Sequence, residues 1–261
     1  MQPHRAVQDL SRRDLEDRGG RRNHCLDPGG FGGVTITKAM TIACEGVTAG
    51  VLVSGTNAII VSAGPSDQVT LRGLDINGAG TGINGIRFLA GKALIVDNCQ
   101  IYEFTTNGID VALGASGASV SVKDTRINNL GGVGIRVATT VGGVSASVDH
   151  VNISRVTTGV ESAAGGNTSV SNSIMFAGSN GVLASANGAV MTVANSVMSS
   201  NNVGANASVS GATIALTNSD LFANNTAVSA AVGSNFISGA NNKLFGNTSP
   251  GAGVSGTMIN E

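Results

Sequence analysis

From about Cys25 to residue 248 the chain runs in short alternating stretches, apolar then polar then apolar, interrupted every few positions by Gly, Asn, Ser or Asp. Val69-Thr70-Leu71-Arg72-Gly73-Leu74-Asp75-Ile76 is one such run. A period of two puts one face of a strand inward and the other outward. No 3.6-residue periodicity is sustained, so helical solenoids are set aside.

The alternation is itself repeated. A glycine followed by an aliphatic or small residue opens a strand at Gly50-Val51, Gly85-Ile86, Gly108-Ile109, Gly134-Ile135, Gly159-Val160, Gly181-Val182 and Gly204-Ala205. After a longer first interval the spacing is 22 to 26 residues, the range of a solenoid coil. A second signature, Val-x-Asn-x-x-Ile with substitutions, closes each copy. Its third position reads Gly73, Asn98, Asp124, His150, Asn172, Asn195 and Asn218. These residue types tolerate a left-handed backbone, Gly for want of a Cβ and the others through local hydrogen bonding. The column is therefore read as a tight turn between two strands. With the strand that opens at the Gly-aliphatic pair, each coil holds three short strands, and the array is an all-β parallel β-helix of about nine coils.

Composition agrees. With 38 glycines, 12% charged residues, one tyrosine and no tryptophan in 261 residues, small β-branched side chains must fill the core. A formal net charge of −1, without a clustered basic face, argues against a nucleic-acid partner. No apolar stretch is long enough for a transmembrane helix.

The runs Val69 to Ile76 and Gly85-Ile86-Arg87-Phe88 resemble right-handed parallel β-helix proteins of the pectin-lyase-like superfamily. The resemblance covers residues 25 to 248 and supplies the handedness. It implies an exported family, extracellular or periplasmic, and a substrate groove along the first strand of each coil in the members that are enzymes.

Residues 1 to 24 differ from the rest, with six arginines and four acidic residues. They are read as a non-native or disordered arm. Shifted by one nucleotide, Met1 to Asp9 can spell Cys-Ser-Arg-Thr-Ala-Pro-Cys-Lys-Thr, like the opening of the same family. The expectation is an out-of-frame translation with the frame restored near His24. As written the start is no signal peptide, which implies a cytoplasmic chain, and the first coil would lack a cap and invite self-association. Residues 249 to 261 are read as a tail.

Two columns carry charge. In the first strand the coils present Leu52, Arg87, Asp110, Arg136, Glu161, Leu183 and Asn206, and at the bend Arg72, Asp97, Lys123, Asp149 and Ser171. Coils lie roughly 4.8 Å apart, so alternating signs read first as outward salt-bridge ladders. The functional reading takes Asp110 and Glu161, with Asp75, as catalytic carboxylates. Two coils separate the pair, roughly 9 to 10 Å, near the upper limit for an inverting glycosidase. Against it, Arg136 would stand between them and Arg87 beside Asp110, a setting opposite to that of a proton-donating carboxyl. Arg87 and Arg136 are candidates for binding.

His150 fits the turn column, and the sequence offers no metal set or cofactor motif. Cys25 and Cys44 follow strand ends by similar offsets and suit a disulfide across adjacent coils, whereas Cys99 reads as a buried small hydrophobe. The leading function is a structural or surface-interaction protein. The alternative is a polysaccharide-degrading enzyme, hydrolase or lyase. Polysaccharide and self-association are the expected partners, although the scarcity of Tyr and Trp counts against sugar stacking.

Overall fold

A computed structural model describes residues 21–114, 117–252 and 256–257 of the chain. Among them every strand pairing is parallel, and the strands form three long sheets of eleven, ten and ten strands. One coil takes a strand from each in turn, for example Gln68–Arg72 in the first sheet, Asp75–Gly82 in the second and Ile86–Ala90 in the third. The all-β parallel solenoid expected from the repeat is the fold of the chain, with about ten turns.

The bend between the first and second sheets falls at the predicted column. Gly73, Asn98, Asp124, His150, Asn172, Asn195 and Asn218 all have φ between 45° and 69°. The next residue of each coil turns inward, including Cys99, Thr125, Ser173, Ser196 and Ser219. Ser173 Oγ donates to the carbonyl of Ser171 at 2.7 Å and accepts from the Val151 N–H at 3.1 Å. Ser196 and Ser219 repeat the pattern one coil at a time. Cys99 Sγ points at the Asp97 carbonyl, 3.3 Å away, in the same way.

A second bend, between the second and third sheets, was not foreseen. Glu103, Asn129, Arg155, Ala177, Ser200 and Ala223 sit there at φ of 52° to 62°. Most of these side chains do not favour that conformation. Backbone bonds to the next coil impose it, such as Arg155 N–H to the Phe176 carbonyl.

The Gly-aliphatic pairs open the third sheet because there is no room for a Cβ. One added to Gly134 would lie 2.6 Å from the Gly159 carbonyl oxygen and 2.7 Å from Ile153 Cγ2. The first pair, Gly50-Val51, is an exception and corrects the reading above. Ala49–Leu52 belongs to the second sheet and pairs with Asp75–Gly82. The strand Ile59–Ser62, preceded by Ala58, takes the third-sheet position. Ile60, not Leu52, therefore stands beside Arg87. A small residue other than glycine opened that coil, and the 35-residue interval from Gly50 to Gly85 was its trace.

Inward residues stack in columns. Ile76, Ile101, Ile127 and Ile153 give way to Met175, Met198 and Leu221 in the second sheet, as Phe88, Val111 and Val137 give way to Ser162, Ala184 and Ala207 in the third. Adaptable methionines fill what the alanines leave. The described strands extend past the expected bounds of 25 and 248: Arg21–His24 pairs with Met40–Ala43, and Ser249–Ala252 and Gly256–Thr257 join the far end. The proposed out-of-frame arm otherwise falls on residues 1–20, outside the described residues.

Candidate functional site

Parallel pairing without a register shift carries both charged columns into contact. On the third sheet Arg87, Asp110, Arg136 and Glu161 are direct neighbours on successive coils. Asp110 is the centre of this row, its side chain only 7% exposed. Arg87 Nε lies 3.4 Å from one of its oxygens and Arg136 Nη1 donates to the other at 3.3 Å. Arg136 reaches on to Glu161, Nε to Oε2 3.6 Å, and the Ser185 hydroxyl donates to Glu161 Oε1 at 2.5 Å. The two arginines stay more than a third exposed. Arg87 Nε makes no aligned hydrogen bond, so its tie to Asp110 is coulombic.

The first sheet repeats the arrangement at its bend. Asp97, buried, lies 2.8 Å from Arg72 Nε and 3.6 Å from Lys123 Nζ. Asp149 ends the row. It accepts from the Ser171 hydroxyl at 2.6 Å and the Asn172 amide at 2.7 Å, with His150 Nδ1 2.8 Å away. These hydrogen bonds, that from Ser171 first, hold its carboxyl down at about 2.

Asp110 and Glu161 thus share one row, with Arg136 between them. Asp75 does not join them, since it lies on the second sheet between Gly50 and Gln100. Its neighbour there is Tyr102, whose phenol is raised above its ordinary value first by burial and then by the Asp75 carboxylate. His150 occupies its turn at φ 52°. Cys25 and Cys44 are joined, with Cα atoms 4.7 Å apart. Burial raises the Cys99 thiol to about 11. Among the described residues no group of His, Cys, Asp and Glu is arranged to hold a metal, and no helix is long and apolar enough to cross a membrane.

Two features escaped sequence reasoning. The first is a row of amides in the C-terminal half, buried at Asn201 and Asn224 and half-buried at Asn247. Asn224 Oδ1 accepts from the Asn201 backbone N–H at 2.9 Å, and Asn224 Nδ2 donates to the Met198 carbonyl at 3.0 Å and to Asn247 Oδ1 at 2.9 Å. Asn201 and Asn247 repeat these bonds. The 23-residue spacing of Asn201, Asn224 and Asn247 was the available signal. The second is an aromatic column on the outer face of the second sheet, where Phe176, Ser199, Phe222 and Phe245 are direct neighbours.

No protein-family model matches the sequence, and no curated protein matches it by sequence alone. Solved structures do match by shape. An alginate lyase from Paenibacillus sp. str. FPU-7 aligns with a TM-score of 0.71 at 16% identity, over 92% of this chain and 95% of that one. The pectate lyase Pel9A aligns with a TM-score of 0.58 at 13% identity, over 96% of this chain and 73% of that one. At such identities the likeness shows the fold alone, a parallel β-helix, in agreement with the three parallel sheets described above.

Proposed function

We propose that this chain is an exported β-helix that presents binding surfaces and carries no catalytic centre. The observation behind this reading is Arg136, which lies 3.3 Å from Asp110 and 3.6 Å from Glu161. Both carboxylates of that pair already face a guanidinium, Asp75 stands apart on the second sheet, and alternating charge is what a stack of coils requires for its own stability. The Cys25–Cys44 bond fits an oxidising compartment.

The second reading is a polysaccharide-degrading enzyme, favoured by the end-to-end likeness to an alginate lyase. In it the half-exposed Arg87 and Arg136 would meet acidic groups of the polymer, and Asp110 and Glu161 would take part in bond cleavage. Incubation with alginate, polygalacturonate and a neutral glucan, followed by assays for reducing ends and for unsaturated uronate ends, separates the two. The first reading expects no product, and expects Asp110→Asn and Glu161→Gln to lower the melting temperature. Product formation that either substitution abolishes, with melting unchanged, would establish the enzyme instead.

A further inference from the structure

Half of the aromatic residues of the chain point out of the core on a single column. Of seven phenylalanines and one tyrosine, Phe176, Phe222 and Phe245 occupy the outer column of the second sheet, with Tyr102 three coils below Phe176. The three phenylalanines are 37%, 41% and 80% exposed. Ser199 is buried between the first two, and Ile174, beside Phe176, is 40% exposed. The core gains nothing from rings placed there.

We propose that this face binds an uncharged, extended β-1,4-linked glycan lying along the helix axis. Three observations select that occupant. Phe176 and Phe222 are two coils apart, roughly 9 to 10 Å, close to the disaccharide repeat of such a ribbon, so these two rings meet alternate sugars, and Phe245, one coil beyond Phe222, meets the next sugar.

Charge is the second. From residue 162 to 242 the only charged side chain is Asp220, and Lys243 pairs with it at 3.7 Å. An acidic polymer finds no surplus cation here, whereas hydroxyl groups find amides. Asn172, Asn195 and Asn218 are exposed along the edge of the same face, at one per coil. Asn218 Nδ2 donates to Asn195 Oδ1 at 2.6 Å, which leaves part of each amide's capacity free.

Area is the third. At about 200 Å² per ring the exposed fractions amount to roughly 300 Å², well below the roughly 800 Å² per partner of a stable protein interface. The stripe is too narrow to hold a second copy and suits a ribbon of sugar.

This inference rests on the binding-surface reading and deepens it. The test is affinity electrophoresis of the full chain in gels containing hydroxyethyl cellulose, galactomannan or alginate. Retardation by a neutral polymer is expected, unaffected by added salt and absent with alginate. Phe176→Ala and Phe222→Ala, at exposed positions, should keep the circular dichroism spectrum and weaken retardation about tenfold each. Asp110→Asn should leave it unchanged.

No retardation by either neutral polymer would overturn the proposal, as would retardation that survives both phenylalanine substitutions. A wild-type dimer that Phe222→Ala converts to monomer would assign the stripe to self-association instead. Cleavage of the polymers would sink the non-catalytic reading and leave the stripe standing, so the two fail separately.

Discussion

The two halves of the solenoid solve one problem with different chemistry. In the N-terminal half a short amide row, Asn57–Asn84–Asn107, stands beside two charged columns, Arg72–Asp97–Lys123–Asp149 and Arg87–Asp110–Arg136–Glu161, along which each coil must carry the opposite sign to its neighbours. In the C-terminal half Asn201–Asn224–Asn247 and Ser173–Ser196–Ser219 place like on like. An amide or a hydroxyl both donates and accepts, so an identical residue can follow it indefinitely. A charge cannot, because a second copy at coil spacing repels the first. Serial stacking therefore selects either self-complementary groups or strict alternation, and this chain uses both.

The contrast can be broken where it is strongest. Asn224→Ala removes the acceptor of two Asn201 donors and the donor to the Met198 carbonyl. Each orphaned buried group costs about 1 to 3 kcal/mol; a total loss of about 3 kcal/mol in urea unfolding is expected, unchanged by salt. A neutral result would mean that water replaces the amide.

Asp110→Ala is the matching change in the charged half. It leaves Arg87 and Arg136 facing each other with no carboxylate between them, and a loss of about 1 to 3 kcal/mol is expected. Unlike the amide variant, it should recover part of that loss in high salt, since both arginines reach solvent. Equal salt response in the two variants would erase the distinction drawn above.

A gain is expected where the amide half leaves a fault. Thr168 is fully buried and its hydroxyl has no partner. Thr168→Val should raise stability by about 1 kcal/mol, measured by thermal unfolding.

The smallest effect concerns the junction of the halves. The Asp149 carboxyl is lowered from 3.8 to about 2, so its contribution is complete above pH 4 and is lost as the pH falls towards 2. The side chain is more than a third exposed, which makes the loss modest. Asp149→Asn should be less stable than the wild type at pH 6, with the gap closing at pH 2.

Sequence reasoning reached the fold because its determinants are local. A left-handed turn restricts residue type whatever surrounds it, so Asn98, His150 and Asn172 could be read directly. The two charged columns were legible because alternation of sign survives in a one-dimensional text. What escaped depends on the stack. Arg155 and Ala177 adopt a left-handed conformation only because neighbouring coils hold their amides, and neither residue type announces it. Asn201 and Asn224 recur at the coil period, but nothing in the sequence tells that their amides are buried. The outward phenylalanines were hidden for a similar reason: Phe176 and Phe236 look alike in sequence, and only register tells that one faces water and the other the core.

The asparagine row of the C-terminal half also bears on how such a chain can change length. A 23-residue insertion beside Asn224 that brings its own asparagine finds an acceptor on one side and a donor on the other, and the row closes over it. One coil inserted between Arg87 and Glu161 sets like charges against each other whichever sign it carries. The neutral half can therefore grow or shrink by single units, whereas the charged half is confined to even steps.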